Sequence, residues 1–387
     1  MKLSYCAAIV SLMLAGCATN SMNDTYVNKA KSDIKAYKTL KSIESLVIKA
    51  SSDEDLSEAQ LKKLKERICD KADSDSLKNT PEATYMRAQC KNEIEVTIQS
   101  KYEACKLFKK AAESSNFYSK EVQSQAMYST GNCYVNGGFS TNQTLAFNWF
   151  KKSADLELAK AQSEVGYQLY WGQGVKKDME RALYWFRQAA TQHDTQAQLY
   201  LGKYYYFGHI HPQNKSQAFY WFQKAANKGD REAQYRLGES YRYSEGIKRD
   251  DLKSAYWFKE AAKQGHLKSG FITAKNYHYG NGTEKDLAKA FYWYKKVAEQ
   301  DYEEAYLYVA EAYRLSEGTD KNFALALKWY LKAANGRDGF AEYQLGKLYY
   351  LGQGATQNSE KAIMWLNQAK ESGNREARKL LNEIENL

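Results

Sequence analysis

Few side chains in this 387-residue chain are spaced for covalent or metal chemistry. His209 and His211 stand one residue apart beside Pro212, a spacing two metal ligands could share. No third ligand follows at a recognisable distance, and a zinc site needs three or four. Ser32 and Lys35 have the separation of a hydroxyl nucleophile and its lysine base. Neither an SDN nor a KTG segment accompanies them, so the match reads as chance. No catalytic residue, metal or cofactor is therefore assigned. What remains is a set of cysteine thiols and a series of Tyr, Arg and His side chains suited to recognition. Tyr and Arg combine contact area with hydrogen bonding and concentrate at binding hot spots. The elements that present them decide what they can do.

The N-terminus reads as a targeting segment. Lys2 precedes an apolar core over residues 3–16 that is too short to span a bilayer. It ends in "LAGC", Leu14 to Cys17, which resembles the bacterial lipobox. That resemblance implies that Cys17 is lipidated and becomes the first mature residue; the alternative is an ordinary secretory signal with a chance cysteine. Ala18, where some lipoproteins have Asp, implies outer-membrane sorting by the same resemblance. The expectation is a periplasm-facing lipoprotein, cell-surface exposure being open, with a signal at 1–16 and a tether at 17–24. Loss of Lys2 takes the net charge from +10 to +9, and residues 17–80 hold 12 basic and 11 acidic side chains. The positive excess thus falls on the rest of the chain. In a cytosolic protein it would suggest nucleic acid. In an exported one it suggests anionic lipid, acidic protein or solubility alone, so no nucleic-acid partner is assigned.

The chain's organisation is set by a period. Trp149, Trp185, Trp221, Trp257, Trp293, Trp329 and Trp365 follow one another at steps of 36 residues, the signature of a repeat array. Seven residues before each stands Asn142, Asp178, Asn214, Asp250, Asp286, Asn322 or Asn358, side chains that accept the free N–H groups of a helix's first turn. A helix B therefore starts there. A helix A lies upstream, as in "AQLYLGKYYYFG" from Ala197. Gly174, Gly246, Gly282, Gly318 and Gly354 are expected to close helix A in the left-handed conformation. A small residue recurs inside helix A: Gly166, Gly202, Gly238, Ala274, Ala310 and Gly346. Mid-helix Gly costs about 0.5–1 kcal/mol against Ala, and Ala replaces it twice, so small size is the requirement, for close approach of helix B. With only two prolines and no long alternating β-branched run, the fold is expected to be all-α. It is read as an α/α solenoid, a right-handed superhelix of about eight 36-residue antiparallel helix pairs. Repeats are assigned to 81–376, the first divergent, and a capping helix to 377–387. Two further helices are expected in 25–80, with Asp55 and Glu58 as a capping box for the second.

The pattern A-x4-G-x2-Y-x2-G-x-G, then Asp or Asn, then A-x2-W-x3-A-A resembles the Sel-1-like repeat family, relatives of tetratricopeptide repeats, over about residues 81–387. The resemblance implies a solenoid that binds other proteins, with helix A lining the concave side. The ladder tryptophans are then repeat-to-repeat core rather than a ligand platform, and function lies where the copies differ. Counted from the small residue, offsets −3, +1 and +4 are taken as one face of helix A. Offset +1 alternates Lys203, Glu239, Lys275, Glu311, Lys347, expected to bridge successive repeats. Offset +4 reads Tyr170, Tyr206, Arg242, His278, Arg314, Tyr350, and Tyr235 and Tyr343 lie at −3. These eight are the candidate partner-binding residues.

Of the four cysteines outside the signal and lipid positions, Cys90 and Cys133 share a repeat position. An oxidising compartment allows two disulfides in three connectivities. Pairing across successive helices gives Cys69–Cys90 and Cys105–Cys133, the alternative being four buried thiols. The functional expectation is a lipid-anchored scaffold, not an enzyme, that holds a protein or peptide partner. One special form is an immunity lipoprotein that neutralises a toxin delivered to the periplasm, since the resemblance extends to repeat proteins encoded beside secreted phospholipase effectors (type VI-type toxins). An envelope enzyme acting on cell-wall or β-lactam substrates is the opposing class.

Overall fold

Each of the seven B helices that carry a ladder tryptophan starts where its Asn or Asp stands, because that side chain replaces the missing acceptor of the first turn. In the computed structural model Asn142, Asp178, Asn214, Asp250, Asp286, Asn322 and Asn358 each accept the N–H three residues on, at 2.8–2.9 Å. The structure describes Asp70 and residues 80–385, less 95, 96, 116, 118 and 209–211. The expectations for Cys17, Cys69, Ser32, Lys35, His209, His211 and the two helices of 25–80 lie outside these residues. So do the signal and tether.

Among the described residues there are seventeen α-helices and no strand. They are α1 (Pro81–Ile94), α2 (Ile98–Ala112), α3 (Lys120–Val135), α4 (Gln143–Asp155), α5 (Ala159–Trp171) and α6 (Met179–Thr191). Next come α7 (Thr195–Phe207), α8 (Lys215–Asn227), α9 (Arg231–Tyr243), α10 (Asp251–Lys263), α11 (Leu267–Tyr279) and α12 (Leu287–Ala298). The last are α13 (Tyr306–Leu315), α14 (Phe323–Ala334), α15 (Gly339–Leu351), α16 (Ser359–Glu371) and α17 (Arg375–Glu385). Helices pack on their neighbours in the chain, as in an α-solenoid. Two compact units divide at Leu201 and Gly202, inside α7.

The turn after helix A corrects one expectation. The left-handed residue that closes the helix is Gly172, Gly280 or Gly352, with Ser244 and Ser316 in two copies. It lies two residues before the glycine expected there. Gly174, Gly246, Gly282, Gly318 and Gly354 also have positive φ, but their second constraint is space. A Cβ at Gly246 would overlap the backbone carbonyl of Lys215 at the start of α8. The second glycine therefore lets the loop lie against the first turn of the preceding B helix.

The core is centred one residue beyond the ladder. Phe150 and Phe186 in the first unit, and Phe222, Phe258, Tyr294, Tyr330 and Leu366 in the second, are fully buried. Trp149, Trp185, Trp293 and Trp329 are buried, but Trp221, Trp257 and Trp365 are only half-buried. The small residue of helix A faces the ring that follows the tryptophan. A Cβ at Gly166 would come 2.8 Å from Phe186 Cδ1, and one at Gly238 would come 2.9 Å from Phe258 Cδ1. Ordinary carbon–carbon contact is about 3.5–4.0 Å. Where the small residue is Ala, at Ala274 and Ala310, the B-helix partner in register is Tyr294 or Tyr330. The last core layer is closed by Ala377 and Leu381 of α17 against Leu366 and Ala369, which keeps charged side chains on the outside. Cys105 of α2 and Cys133 of α3 are joined by a disulfide. Cys90 is also disulfide-bonded, with its partner outside the described residues.

Candidate functional site

Helix A places its variable side chains where its two caps and the B-helix rings leave them. In the first unit Tyr170 is buried rather than displayed. Its ring lies 5.0 Å from Trp171, 6.4 Å from Phe186 and 5.5 Å from Tyr200. Phe186 and Tyr200 stack at 5.0 Å, and burial pushes the Tyr200 hydroxyl up to about 12. Tyr170 is therefore a packing residue.

In the second unit the same offset divides by chemistry. The Tyr206 hydroxyl donates to Glu245 at 3.1 Å, and Lys215 Nζ lies 3.2 Å from the centre of its ring. Burial, then the Glu245 charge, pushes this phenol up to about 12. Arg242 is partly exposed, and its side chain makes no hydrogen bond or ion pair among the described residues. His278 lies against the rings of Tyr279 and Tyr294, at 4.5 and 6.2 Å. Arg314 is not free. It is held by both oxygens of Glu311, at 2.9 and 2.6 Å, and its Nε donates to the Tyr330 hydroxyl. Tyr350 is partly exposed, and its carbonyl accepts from Gln357.

The −3 offset turns inward. Tyr235 is buried, stacked on His266 at 4.6 Å, with its hydroxyl bonded to Glu239. Tyr343 packs on the C-terminal core layer. The acidic members of the +1 series pair inside their own helix. Glu239 takes Arg236 at 3.1 Å, and Glu311 takes Arg314. Lys203 reaches Glu232 of α9. Glu232 is a shared node: His266 Nε2 stands 3.6 Å from it and Arg236 Nε 3.0 Å, and His266, with Lys203 and Arg236, pulls its carboxyl down to about 2 against the effect of burial.

Two exposed rows were not singled out from the sequence. One is the last residue of helix A, at offset +5. Trp171 occupies it in the first unit, and Phe207, Tyr243, Tyr279, Leu315 and Leu351 occupy it in the second, each 45–64% exposed. The other lies one residue before the ladder tryptophan: Tyr184 in the first unit, then Tyr220, Tyr256 and Tyr292, all about half-exposed. Each sits edge-on to its own tryptophan at 5.0–5.4 Å. Scattered exposed apolar residues need no explanation; contiguous ones do. Here the same 36-residue period keeps them in register. The period itself was the available signal. The assumed face of helix A was centred too far toward −3 and +4; at about 100° per residue the most exposed edge lies further round, at +5.

This is an α-solenoid with a repeated aromatic surface. Among the described residues no group of three or more His, Cys, Asp or Glu could hold a metal ion. No described helix is long and apolar enough to cross a membrane. The Sel1 repeat model matches residues 95–116, 124–158, 159–194, 195–230, 231–266, 271–302, 303–338 and 339–374, and the chain belongs to the Sel1 repeat family. Such repeats generally form non-enzymatic scaffolds that mediate protein–protein interaction. A similar solved structure is c5321, a protective antigen of uropathogenic Escherichia coli with the same repeat fold. It is 28% identical with a TM-score of 0.66, over 88% of this chain and 67% of that one. A Sel1 repeat protein from Oxalobacter formigenes is 23% identical with a TM-score of 0.51, over 88% of this chain and 93% of that one. No curated protein matches the chain in sequence.

Proposed function

We propose that the chain is a lipid-anchored scaffold of the bacterial envelope that holds a protein partner on the exposed end of its A helices. The observation that carries this reading is the +5 row of the second unit. Phe207, Tyr243, Tyr279, Leu315 and Leu351 keep large apolar side chains in solvent at one repeat position, which has no benefit for a surface that touches only water. Arg242 beside Tyr243 and His278 beside Tyr279 add hydrogen-bonding groups of the kind that anchor interfaces. The partner then contacts Tyr243, Arg242 and Tyr279, with Tyr206 and Tyr350 at the sides. Tyr170, Tyr235 and Arg314 support the scaffold instead. Anchoring through Cys17 keeps this surface at the membrane.

The test uses the full chain expressed with its own N-terminal segment. A photo-crosslinking residue at Tyr243 or Tyr279 should capture one partner in the envelope, and one at Lys370 should not. Tyr243→Ser with Tyr279→Ser should abolish capture without changing the melting temperature. Cys17→Ser should release the protein from the membrane fraction. Equal capture at Lys370, or capture that survives the double substitution, refutes the surface assignment. The captured species decides the role: an envelope-assembly factor means scaffold, a delivered toxin means immunity.

A further inference from the structure

One repeat departs from the others in its core. Two residues before the ladder tryptophan, the B helices carry Phe147, Leu183, Phe219, Phe291, Leu327 and Ile363; at this place α10 carries Ala255. In the second unit the large side chain packs on the tyrosine three residues after the small residue of the next A helix. Phe219 meets Tyr241 edge-on at 5.4 Å, and Phe291 meets Tyr313 edge-on at 5.1 Å. Tyr277 is the corresponding tyrosine opposite Ala255. Between them lies a cavity of about 190 Å³, lined also by Tyr256, Lys259, Thr273 and Asn276.

The lining departs from the pattern in two more places. Thr273 replaces the Val165, Leu201, Leu237, Val309 and Leu345 of other copies, and its hydroxyl is buried with no hydrogen-bond partner among the described residues. Asn276 is buried and lines the same cavity, so its side-chain amide stands at the cavity wall. The cavity opens to solvent between Leu252 and Tyr256, and a buried polar group such as the Thr273 hydroxyl is normally bonded. At the mouth stands Leu252, 72% exposed, where other copies carry Thr144, Glu180, Ser216, Ala288, Ala324 and Glu360. The missing large side chain, the unpartnered Thr273 hydroxyl, the Asn276 amide at the wall and the apolar rim all concern one repeat.

We propose that this cavity receives a tyrosine side chain from a protein partner. Its ring takes the place left by the absent phenylalanine and meets Tyr277 edge-on, as Phe219 meets Tyr241. Its hydroxyl donates to the Asn276 carbonyl oxygen or accepts from the amide nitrogen. Leu252 and Tyr256 cover the residues on either side of that tyrosine, which favours a chain segment over a free phenol. The site does not depend on the +5 row and can be tested without knowing the partner.

The probes are the capped peptides Ala-Tyr-Ala, Ala-Phe-Ala and Ala-Ala-Ala, titrated into the methyl-labelled full chain with the Thr273 methyl signal as readout. The tyrosine peptide should shift that signal saturably, the phenylalanine peptide should bind at least threefold more weakly, and the alanine peptide should not bind. Ala255→Phe, which copies the neighbouring repeats, should melt at or above the parent and lose binding at least tenfold. Ala255→Leu, which copies Leu183, should lose it likewise and serves if the larger residue disturbs folding. Asn276→Leu, which copies Leu348, should abolish the preference for tyrosine over phenylalanine. Absence of a saturable shift means the cavity holds only water and overturns the proposal. So does binding that survives a folded Ala255→Leu chain, or a tyrosine preference that survives Asn276→Leu.

Discussion

Gly238→Ala is the sharpest test of how the repeats are held together. In isolation the change favours the helix, since Ala is better than Gly in a helix interior by about 0.5–1 kcal/mol. In the protein the new Cβ would stand 2.9 Å from Cδ1 and 3.0 Å from Cε1 of Phe258. That is roughly half an ångström or more inside normal contact, and the ring is fully buried. Overpacking of this kind costs about 1–3 kcal/mol. The net expectation is a loss of about 0–2.5 kcal/mol once the helix gain is subtracted. Phe258→Ala alone should cost about 3–5 kcal/mol. In that background the clash is gone, so Gly238→Ala should become stabilising by about 0.5–1 kcal/mol. The change of sign is the prediction. Urea unfolding followed by circular dichroism gives the four corners of the cycle, with the slope checked for constancy. Amide exchange in α9 and α10 gives the same differences locally if the array unfolds in parts. A Gly238→Ala chain more stable than the parent, or an equal loss in both backgrounds, would refute the fit between glycine and ring.

Four further outcomes are expected. Phe222→Ala should lower stability by about 3–5 kcal/mol and Trp221→Ala by clearly less, read from urea midpoints, because only the phenylalanine is fully buried. Replacing Cys105 and Cys133 together by Ala opens a bridge spanning 28 residues and should cost about 3–4 kcal/mol on a loop-entropy estimate, measured under non-reducing conditions. Arg314→Gln should lower the melting temperature because it strands Glu311 beside Tyr330, whereas Arg242→Gln should leave it within a degree or so, about the size of a neutral surface change. The Glu232 carboxyl is depressed to about 2, so its stabilising effect is complete above the unfolded value near 4.5 and is lost as pH falls from there toward 2. Allowing for its partial exposure, about 1–2 kcal/mol is at stake. Glu232→Gln should flatten that part of the stability profile, and a parallel profile would contradict the assignment.

The disulfide and Glu232 serve the scaffold, and they bear on function through it. A solenoid holds its surface rows in register only while each repeat keeps its contact with the next. Glu232 of α9 receives His266 from the cap of α11 and Lys203 from α7, so one carboxylate ties three successive A-helix positions. That tie helps hold the A helices that carry the exposed Phe207, Tyr243 and Tyr279 at a set spacing.

The architecture could be read along the chain. A 36-residue period is a property of order along the chain, and Asn or Asp before each B helix and a small residue within each A helix are local requirements that survive in one dimension. The fold class, the helix starts and the need for close helix approach were therefore readable. The faces were not. Tyr170 and Tyr235 have the residue type of a binding surface, yet they are buried, while Tyr243, one position past Arg242, is exposed. Burial depends on which side of helix A the next repeat covers, and an error of one residue turns the inferred face by about 100°. Arg314 likewise looks free in sequence, and only packing brings Tyr330, 16 residues away, to its guanidinium. Ala255 is an ordinary alanine in the chain. It marks a cavity only because tertiary structure sets Tyr277 opposite it and leaves the space between them unfilled.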